Sequence, residues 1–434
     1  MLRPPLSAVE LPSLLIRGAQ VHTPGSGLSE PCDVRIERGI IAEMAPQLPD
    51  LDSEVVFGTG AILAPAFVDL LACAREPGDE HEEDLQSLSE CAVAGGYTAV
   101  VVSPLTEPSN DDHAVTELII RRAREHGLCE LLPQGALTHR CEGKSLATMG
   151  EMAEAGAVCF GDGDRPVQSA RLLRHALEYA RGFNRPVFVQ PLDVDLAGQG
   201  VMHEGPWSTR LGLRGCPAAA ESVIVARDIA VAQLAHGRLH FARITCRRSV
   251  ELIRQAKAQG VAVTAAVTPW HLRYTDAQLQ DYASQWKFVS PLRGEDDRQA
   301  LLEGLRDGTI DAIGSDHMPE NIGDKEVEFD LASPGSISLQ TVLPLVLDCV
   351  RAGELPLYIA LDALVAGPRR VLGLPGAEIR PGRTATLTLL GPRQTWTLDG
   401  ATSRSKSHNT PVWGHELQGQ VLLTLLRGRV VHQA

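Results

Sequence analysis

The chain has 434 residues, of which 44% are apolar and 22% charged, and its formal net charge is −14 at pH 7. This length predicts a large domain with a smaller appended unit. The acidic balance argues against a nucleic-acid-binding face, and no apolar run reaches the length of a membrane helix. The nine cysteines contain no C-x-x-C pair and are predicted to be reduced. We therefore expect a cytoplasmic protein with neither nucleic-acid nor membrane partners.

The two ends of the chain have similar patterns. Residues 13–60 contain short apolar runs separated by turns, such as Leu14–Arg17, and residues 373–434 contain comparable runs, such as Thr384–Leu390. We expect both ends to pair in one small β-sandwich. Residues 61–372 would then form a single unit between them.

The middle of the chain alternates between apolar runs of strand length and helix-like stretches. The predicted strands are Ile62–Leu70, Thr98–Ser103, Leu131–Leu137, Ala157–Phe160, Pro186–Gln190, Leu239–Ile244, Val261–Val267 and Ala312–Ser315. Eight strands alternating with helices indicate an α/β fold, a (β/α)₈ TIM-like barrel. Active sites in such barrels lie at the carboxyl ends of the strands, so functional residues are expected there.

Several short motifs follow one another in a recognisable order. They include Arg75-Glu76-Pro77-Gly78, Gly200-Val201-Met202-His203-Glu204-Gly205 and Ser315-Asp316-His317-Met318-Pro319. Each motif alone is weakly specific, but their occurrence in the same order over nearly the whole chain is a strong signal. The sequence resembles the dihydroorotases, cyclic amidohydrolases of pyrimidine biosynthesis, and the resemblance implies the same barrel.

The resemblance also locates the family's zinc ligands, which are four histidines, a strand-four carboxylate or modified lysine, and a final aspartate. The corresponding positions here are Leu71, Cys73, Asp162, Gln190, Arg243 and Asp316. Only the two aspartates keep the family's residue type.

The chemistry of the replacements argues against a metal. Leu71 has no donor atom, and Arg243 is a permanent cation with no lone pair to offer. At about 4 Å and an effective dielectric constant of about 20, a dication would be repelled by a guanidinium by roughly 8 kcal/mol. We expect no cofactor, and we expect Arg243 to form a salt bridge with Asp162 or Asp316. Those aspartates would be remnants with structural roles.

Substrate recognition is only partly retained in this comparison. Arg75 matches the arginine that binds the dihydroorotate carboxylate, and His317 is a second candidate remnant. By contrast, Leu105 and Val289 stand where the family has asparagines, and Glu320 replaces a histidine.

These losses predict a catalytically inactive dihydroorotase-like protein. The resemblance implies an oligomer that associates with aspartate transcarbamoylase and supports its assembly. The alternative is an active zinc-dependent dihydroorotase, or a related cyclic amidohydrolase, with an altered centre in which Cys73, Asp162 and Asp316 hold one metal ion. A third possibility is a scaffold related to inactive dihydropyrimidinase homologues, which the Arg75–Gly78 motif disfavours.

Overall fold

The structure is a computed structural model that describes residues 9–10 and 13–434. Its strands are β1 (Val9–Glu10), β2 (Ser13–Thr23), β3 (Gly27–Glu37), β4 (Ile40–Ala45), β5 (Glu54–Phe57), β6 (Ile62–Pro65), β7 (Phe67–Ala72), β8 (Tyr97–Val102), β9 (Glu130–Gly135), β10 (Cys159–Phe160), β11 (Val187–Val189), β12 (Met202–His203), β13 (Gly215–Cys216), β14 (Leu239–Phe241), β15 (Val263–Val267), β16 (Ala312–Ile313), β17 (Leu387–Thr397), β18 (Glu416–Leu426) and β19 (Arg429–Gln433).

The α-helices are α1 (Leu85–Ala94), α2 (His113–His126), α3 (Met149–Ala155), α4 (Ala170–Arg181), α5 (Val194–Ala197), α6 (Pro206–Leu211), α7 (Ala219–Ala235), α8 (Arg247–Ala258), α9 (Pro269–Arg273), α10 (Glu295–Arg306), α11 (Ile322–Lys325), α12 (Val342–Arg351) and α13 (Leu357–Leu372). Among the described residues, no helix combines the length and apolar character needed to cross a membrane.

Eight parallel strands form the barrel. They are hydrogen-bonded in the order β7, β8, β9, β10, β11, β14, β15 and β16. The barrel is closed between its last and first strands, β16 and β7. A parallel bridge pairs His317, which follows β16, with Ala72 of β7, and the Cys73 amide donates to the His317 carbonyl at 2.8 Å. The predicted (β/α)₈ barrel is thereby confirmed.

The first predicted strand is in fact two strands. Residues Ile62–Pro65 form β6, which pairs with β17, whereas Phe67–Ala72 forms β7 in the barrel. The two segments are separated by Ala66, so an unbroken apolar run serves two sheets. Hydropathy alone cannot reveal this division, because both segments are fully buried.

Strands from both ends of the chain form one further sheet. Its order is β1-β19-β18-β17-β6-β2-β3-β4, and β5 pairs with β2. Leu14, Leu63, Leu389 and Leu425 belong to one buried apolar cluster in this sheet. The prediction that the chain ends combine in a β unit beside the barrel is confirmed.

Helix caps determine where the first two barrel loops end. The Asp84 carboxylate accepts from the Ser87 amide at 2.7 Å at the start of α1, and Asp112 accepts from the Ala114 amide at 2.8 Å at the start of α2. Such side-chain caps satisfy amides that have no partner within the helix. The loops between β7 and α1 and between β8 and α2 are thus anchored at their far ends.

Candidate active site

The six positions that correspond to the family's zinc ligands all lie at the carboxyl end of the barrel. Leu71 is in β7, Cys73 follows it, and the others follow β10 (Asp162), β11 (Gln190), β14 (Arg243) and β16 (Asp316). All six side chains are buried. The strand ends therefore converge as in a barrel enzyme.

Arg243 forms the centre of a buried hydrogen-bond network. Its Nε and Nη2 atoms lie 2.7 and 2.6 Å from Oδ1 of Asp316, and its Nη1 donates to Oε1 of Gln190 at 2.9 Å. Gln190 in turn donates to the Ser290 hydroxyl at 2.9 Å. Burial opposes the guanidinium charge, but the Asp316 carboxylate outweighs that effect and the pKa of Arg243 is raised. Of the two predicted partners of Arg243, Asp316 is the one that it contacts.

This network does not fit a divalent metal ion. Arg243 places a fixed positive charge on Asp316, the carboxylate that would otherwise bind the metal. Leu71 provides no ligand atom, and burial raises the pKa of the Cys73 thiol to about 11, so that it is not a thiolate at neutral pH. The residues at this centre are therefore those of an ion pair and not of a metal site.

Asp162 has a separate structural role. Its Oδ1 accepts from the amides of Leu137 and Thr138, both at 2.9 Å, and its Oδ2 accepts from the Thr138 hydroxyl at 2.5 Å. Burial raises the pKa of this carboxyl group, and these bonds oppose the rise. Asp162 thus holds the loop after β9, and it does not join Cys73 and Asp316 in a three-ligand cluster.

His317 also serves the framework. Its side chain is fully buried, its Nδ1 accepts from the Ser338 amide at 3.0 Å, and its Nε2 lies 3.4 Å from Oε2 of Glu83. Both ring nitrogens are directed at protein groups. The structure therefore places this predicted substrate-binding residue in the barrel wall.

Arg75 lies at the edge of the centre and is surrounded by acceptors. Its guanidinium pairs with Glu320, lies 3.1 Å from Oε2 of Glu82, and donates to the Pro319 carbonyl at 3.0 and 3.1 Å. Its backbone is left-handed, with φ of 58°, as is that of Asp316 with φ of 55°. Non-glycine residues in this conformation are uncommon and cluster at functional sites.

A cavity of ≈ 820 Å³ opens beside Arg75. It is lined by loops that follow the first four barrel strands and includes Leu105, Arg140, Asp164 and Arg165. The buried Arg243–Asp316 pair lies outside this lining. Of the residues predicted to form the site, Arg75 is the one that lines this cavity.

Sequence reasoning did not anticipate the acidic groups around Arg75. Among the described residues, the one set of three acidic or metal-ligating side chains with converging ligand atoms is Glu82, Glu320 and Asp324. Two of these already pair with Arg75, which makes the set part of an ion-pair cluster. The single available signal was the replacement of a histidine of the resembled family by Glu320.

The strand order and the converging strand ends define a (β/α)₈ barrel with a candidate site at its carboxyl end. Over 97% of this chain and 96% of its own, the L-hydantoinase from Arthrobacter aurescens has the same fold, with a TM-score of 0.83 and 22% identity. The dihydropyrimidinase from Brevibacillus agri NCHU1002 has a TM-score of 0.81 at 21% identity, covering 97% and 95%. At these identities the similarity establishes the fold alone.

Sequence comparisons identify the family. Residues 60–249 match the Dihydro-orotase-like family. The chain is 43% identical to a dihydroorotase of Anaeromyxobacter dehalogenans strain 2CP-C over 97% of its length and 98% of the relative. It is 40% identical to a dihydroorotase of Syntrophotalea carbinolica over 97% and 99%. The chain belongs to the dihydroorotase family.

These relatives contradict the expectation that the chain is catalytically inactive. Proteins 39–43% identical over nearly the full length carry the name dihydroorotase, so they support the alternative, an active enzyme, and the prediction of inactivity is wrong. The error has a physical origin. Replaced zinc ligands such as Leu71 and Arg243 argue against one way of activating water, but they do not determine which substrate is bound.

Proposed function

We propose that this chain catalyses the dihydroorotase reaction of pyrimidine biosynthesis, the interconversion of carbamoyl aspartate and dihydroorotate. The observation that carries the proposal is the set of relatives named dihydroorotase, which align over 96–100% of their own lengths. A match of that extent covers the barrel and the terminal sheet together.

The charges at the carboxyl end of the barrel support this substrate class. Dihydroorotate carries one carboxylate and carbamoyl aspartate carries two, and arginine is the side chain best suited to bind such groups. Arg75 lines the cavity, and it is the residue that the resemblance to the family implies as the carboxylate-binding arginine. Hydrolysis of an amide also builds negative charge on its oxygen, which fixed cations stabilise in a site with little water. Arg243 is a buried cation at this end of the barrel, where Asp316 and Gln190 accept its hydrogen bonds.

The test is a turnover assay in both directions with the metal content measured on the same samples. We expect activity in wild type without stoichiometric zinc, unchanged after chelation, and loss of activity in Arg75→Gln. Arg121→Gln is the matched control, because it makes the same arginine-to-amide change at an exposed position. Wild-type turnover no higher than that of Arg75→Gln would refute the proposal, and dependence on added zinc would refute its metal-independent part.

Association with aspartate transcarbamoylase and an oligomeric state stay predictions. Both can be measured by size-exclusion chromatography with light scattering, first on the chain alone and then with the transcarbamoylase of the same organism. A monomer that elutes separately from the transcarbamoylase would contradict both.

A further inference from the structure

The Arg75 guanidinium is already occupied by groups of this chain. Glu320 and Glu82 provide two carboxylates, and the Pro319 carbonyl accepts two further hydrogen bonds at 3.0 and 3.1 Å. The side chains of Arg75 and Glu320 are 17% and 12% exposed, so this pair is nearly closed to solvent. A carboxylate that approaches Arg75 from the cavity meets a guanidinium whose Nε and Nη2 donors are in use.

We propose that Glu320 is an internal carboxylate that occupies the anion site of Arg75, and that a carboxylate ligand binds there by displacing it. The proposal rests on the proposed function for the identity of that ligand. Glu320 would then set the affinity of the site for dihydroorotate and carbamoyl aspartate, although it need not touch the reacting atoms.

Glu320 is better suited than Glu82 to be displaced. The second carboxylate oxygen of Glu82, Oε1, accepts from the Asn321 amide at 3.1 Å, which holds that side chain in place. In the described residues, the Glu320 carboxylate has one hydrogen-bond donor, Arg75. The backbone of Glu320 is fixed instead, since its amide donates to Oδ1 of Asn409 at 3.2 Å. Its side chain can therefore rotate without moving the loop.

The surroundings of Glu320 favour its neutral form. Burial raises its pKa to about 7 against the attraction of Arg75 and Lys325, and the charges of Glu82 and Asp324 add to the rise. Protonation removes the charge that competes for Arg75. Occupation by Glu320 thus strengthens as pH rises through about 7, and the affinity of wild type for a carboxylate ligand is expected to fall over the same range.

The experiment is a calorimetric titration of the full chain with L-dihydroorotate and with N-carbamoyl-L-aspartate. Glu320→Gln is expected to bind either ligand about tenfold more tightly than wild type above neutral pH, the effect of freeing one charged hydrogen bond. It should also lose the pH dependence. Arg75→Gln should abolish binding, and Glu326→Gln, at the exposed residue that follows α11, should match wild type. Glu320→His, which also removes the carboxylate, is the second variant if the melting temperature of Glu320→Gln falls.

The outcomes separate this inference from the proposed function. Tighter binding by Glu320→Gln without turnover would sustain the inference and refute the enzyme. Turnover by wild type, combined with equal or weaker ligand binding by both Glu320 variants at an unchanged melting temperature, would support the enzyme and refute the inference. Binding that survives Arg75→Gln would overturn the inference, because the ligand would then use another site.

Discussion

Replacing Arg243 tests whether the centre is a structural ion pair. Arg243 and Asp316 are 1% and 4% exposed, so Arg243→Met leaves a buried carboxylate without its cation and Gln190 Oε1 without its donor. Breaking a buried pair from one side costs about 3–5 kcal/mol. With an unfolding entropy of about 2.1 cal/mol/K per residue, a loss of about 4 kcal/mol lowers the melting temperature of this chain by about 4 °C.

The measurement is urea unfolding together with differential scanning calorimetry. Arg254→Met is the control, because Arg254 forms a similar 2.7 Å contact with Asp307 at the surface, where both side chains are more than 40% exposed. A pair of that type contributes about 1 kcal/mol or less. The double variant Arg243→Met/Asp316→Asn should recover a large part of the loss, since it removes the unpaired charge. If Arg243→Met costs no more than Arg254→Met, the interpretation of the centre as a buried ion pair is wrong.

Two further predictions concern stability. Burial lowers the pKa of His240 to about 3, and its Nδ1 lies 2.9 Å from the Thr264 hydroxyl. Below about pH 6.5 the unfolded chain therefore binds a proton at His240 that the folded chain does not bind, so the free energy of unfolding decreases as the pH is lowered. In urea unfolding, His240→Gln should make the free energy of unfolding less dependent on pH. An unchanged slope would contradict this assignment. Asp162→Ala leaves the Leu137 amide and two Thr138 donors without their acceptor, and should cost about 3 kcal/mol with faster amide exchange at both residues. A cost below about 1 kcal/mol would show that water replaces the carboxylate.

The barrel was predictable because each strand is an apolar run bounded by polar turns. The predicted strands Thr98–Ser103 and Val261–Val267 correspond to β8 and β15 within two residues at each end. The run Ala157–Phe160 gives a strand of only two residues, which pairs with β9 and β11. The division of Ile62–Leu70 between two sheets depends on pairing with β17, more than 300 residues later, and no local pattern contains that information.

The site was predictable as a set of strand ends but not as a set of contacts. Residue type showed that Arg243 needs an anion, and left Asp162 and Asp316 as equal candidates. The structure distinguishes the two aspartates. The loop after β9 supplies three donors to Asp162, so the carboxylate oxygens of Asp162 are already hydrogen-bonded, and the Arg243 guanidinium pairs with Asp316 instead. The pairing of Arg75 with Glu320 spans 245 positions and depends on the closure of the barrel, so it was not accessible from sequence spacing.

The positions that match the family's zinc ligands and the residue proposed to bind substrate are different residues in this barrel. Leu71 and Arg243 belong to the buried centre, whereas Arg75, the proposed carboxylate-binding residue, lines the cavity. The identities of Leu71 and Arg243 therefore do not determine whether Arg75 can bind a carboxylate. The prediction of inactivity treated the loss of zinc ligands as a loss of substrate binding, although no contact among the described residues requires the two to go together. Measured separately, zinc content reports on Arg243 and its neighbours, and the affinity for carbamoyl aspartate reports on Arg75 and Glu320.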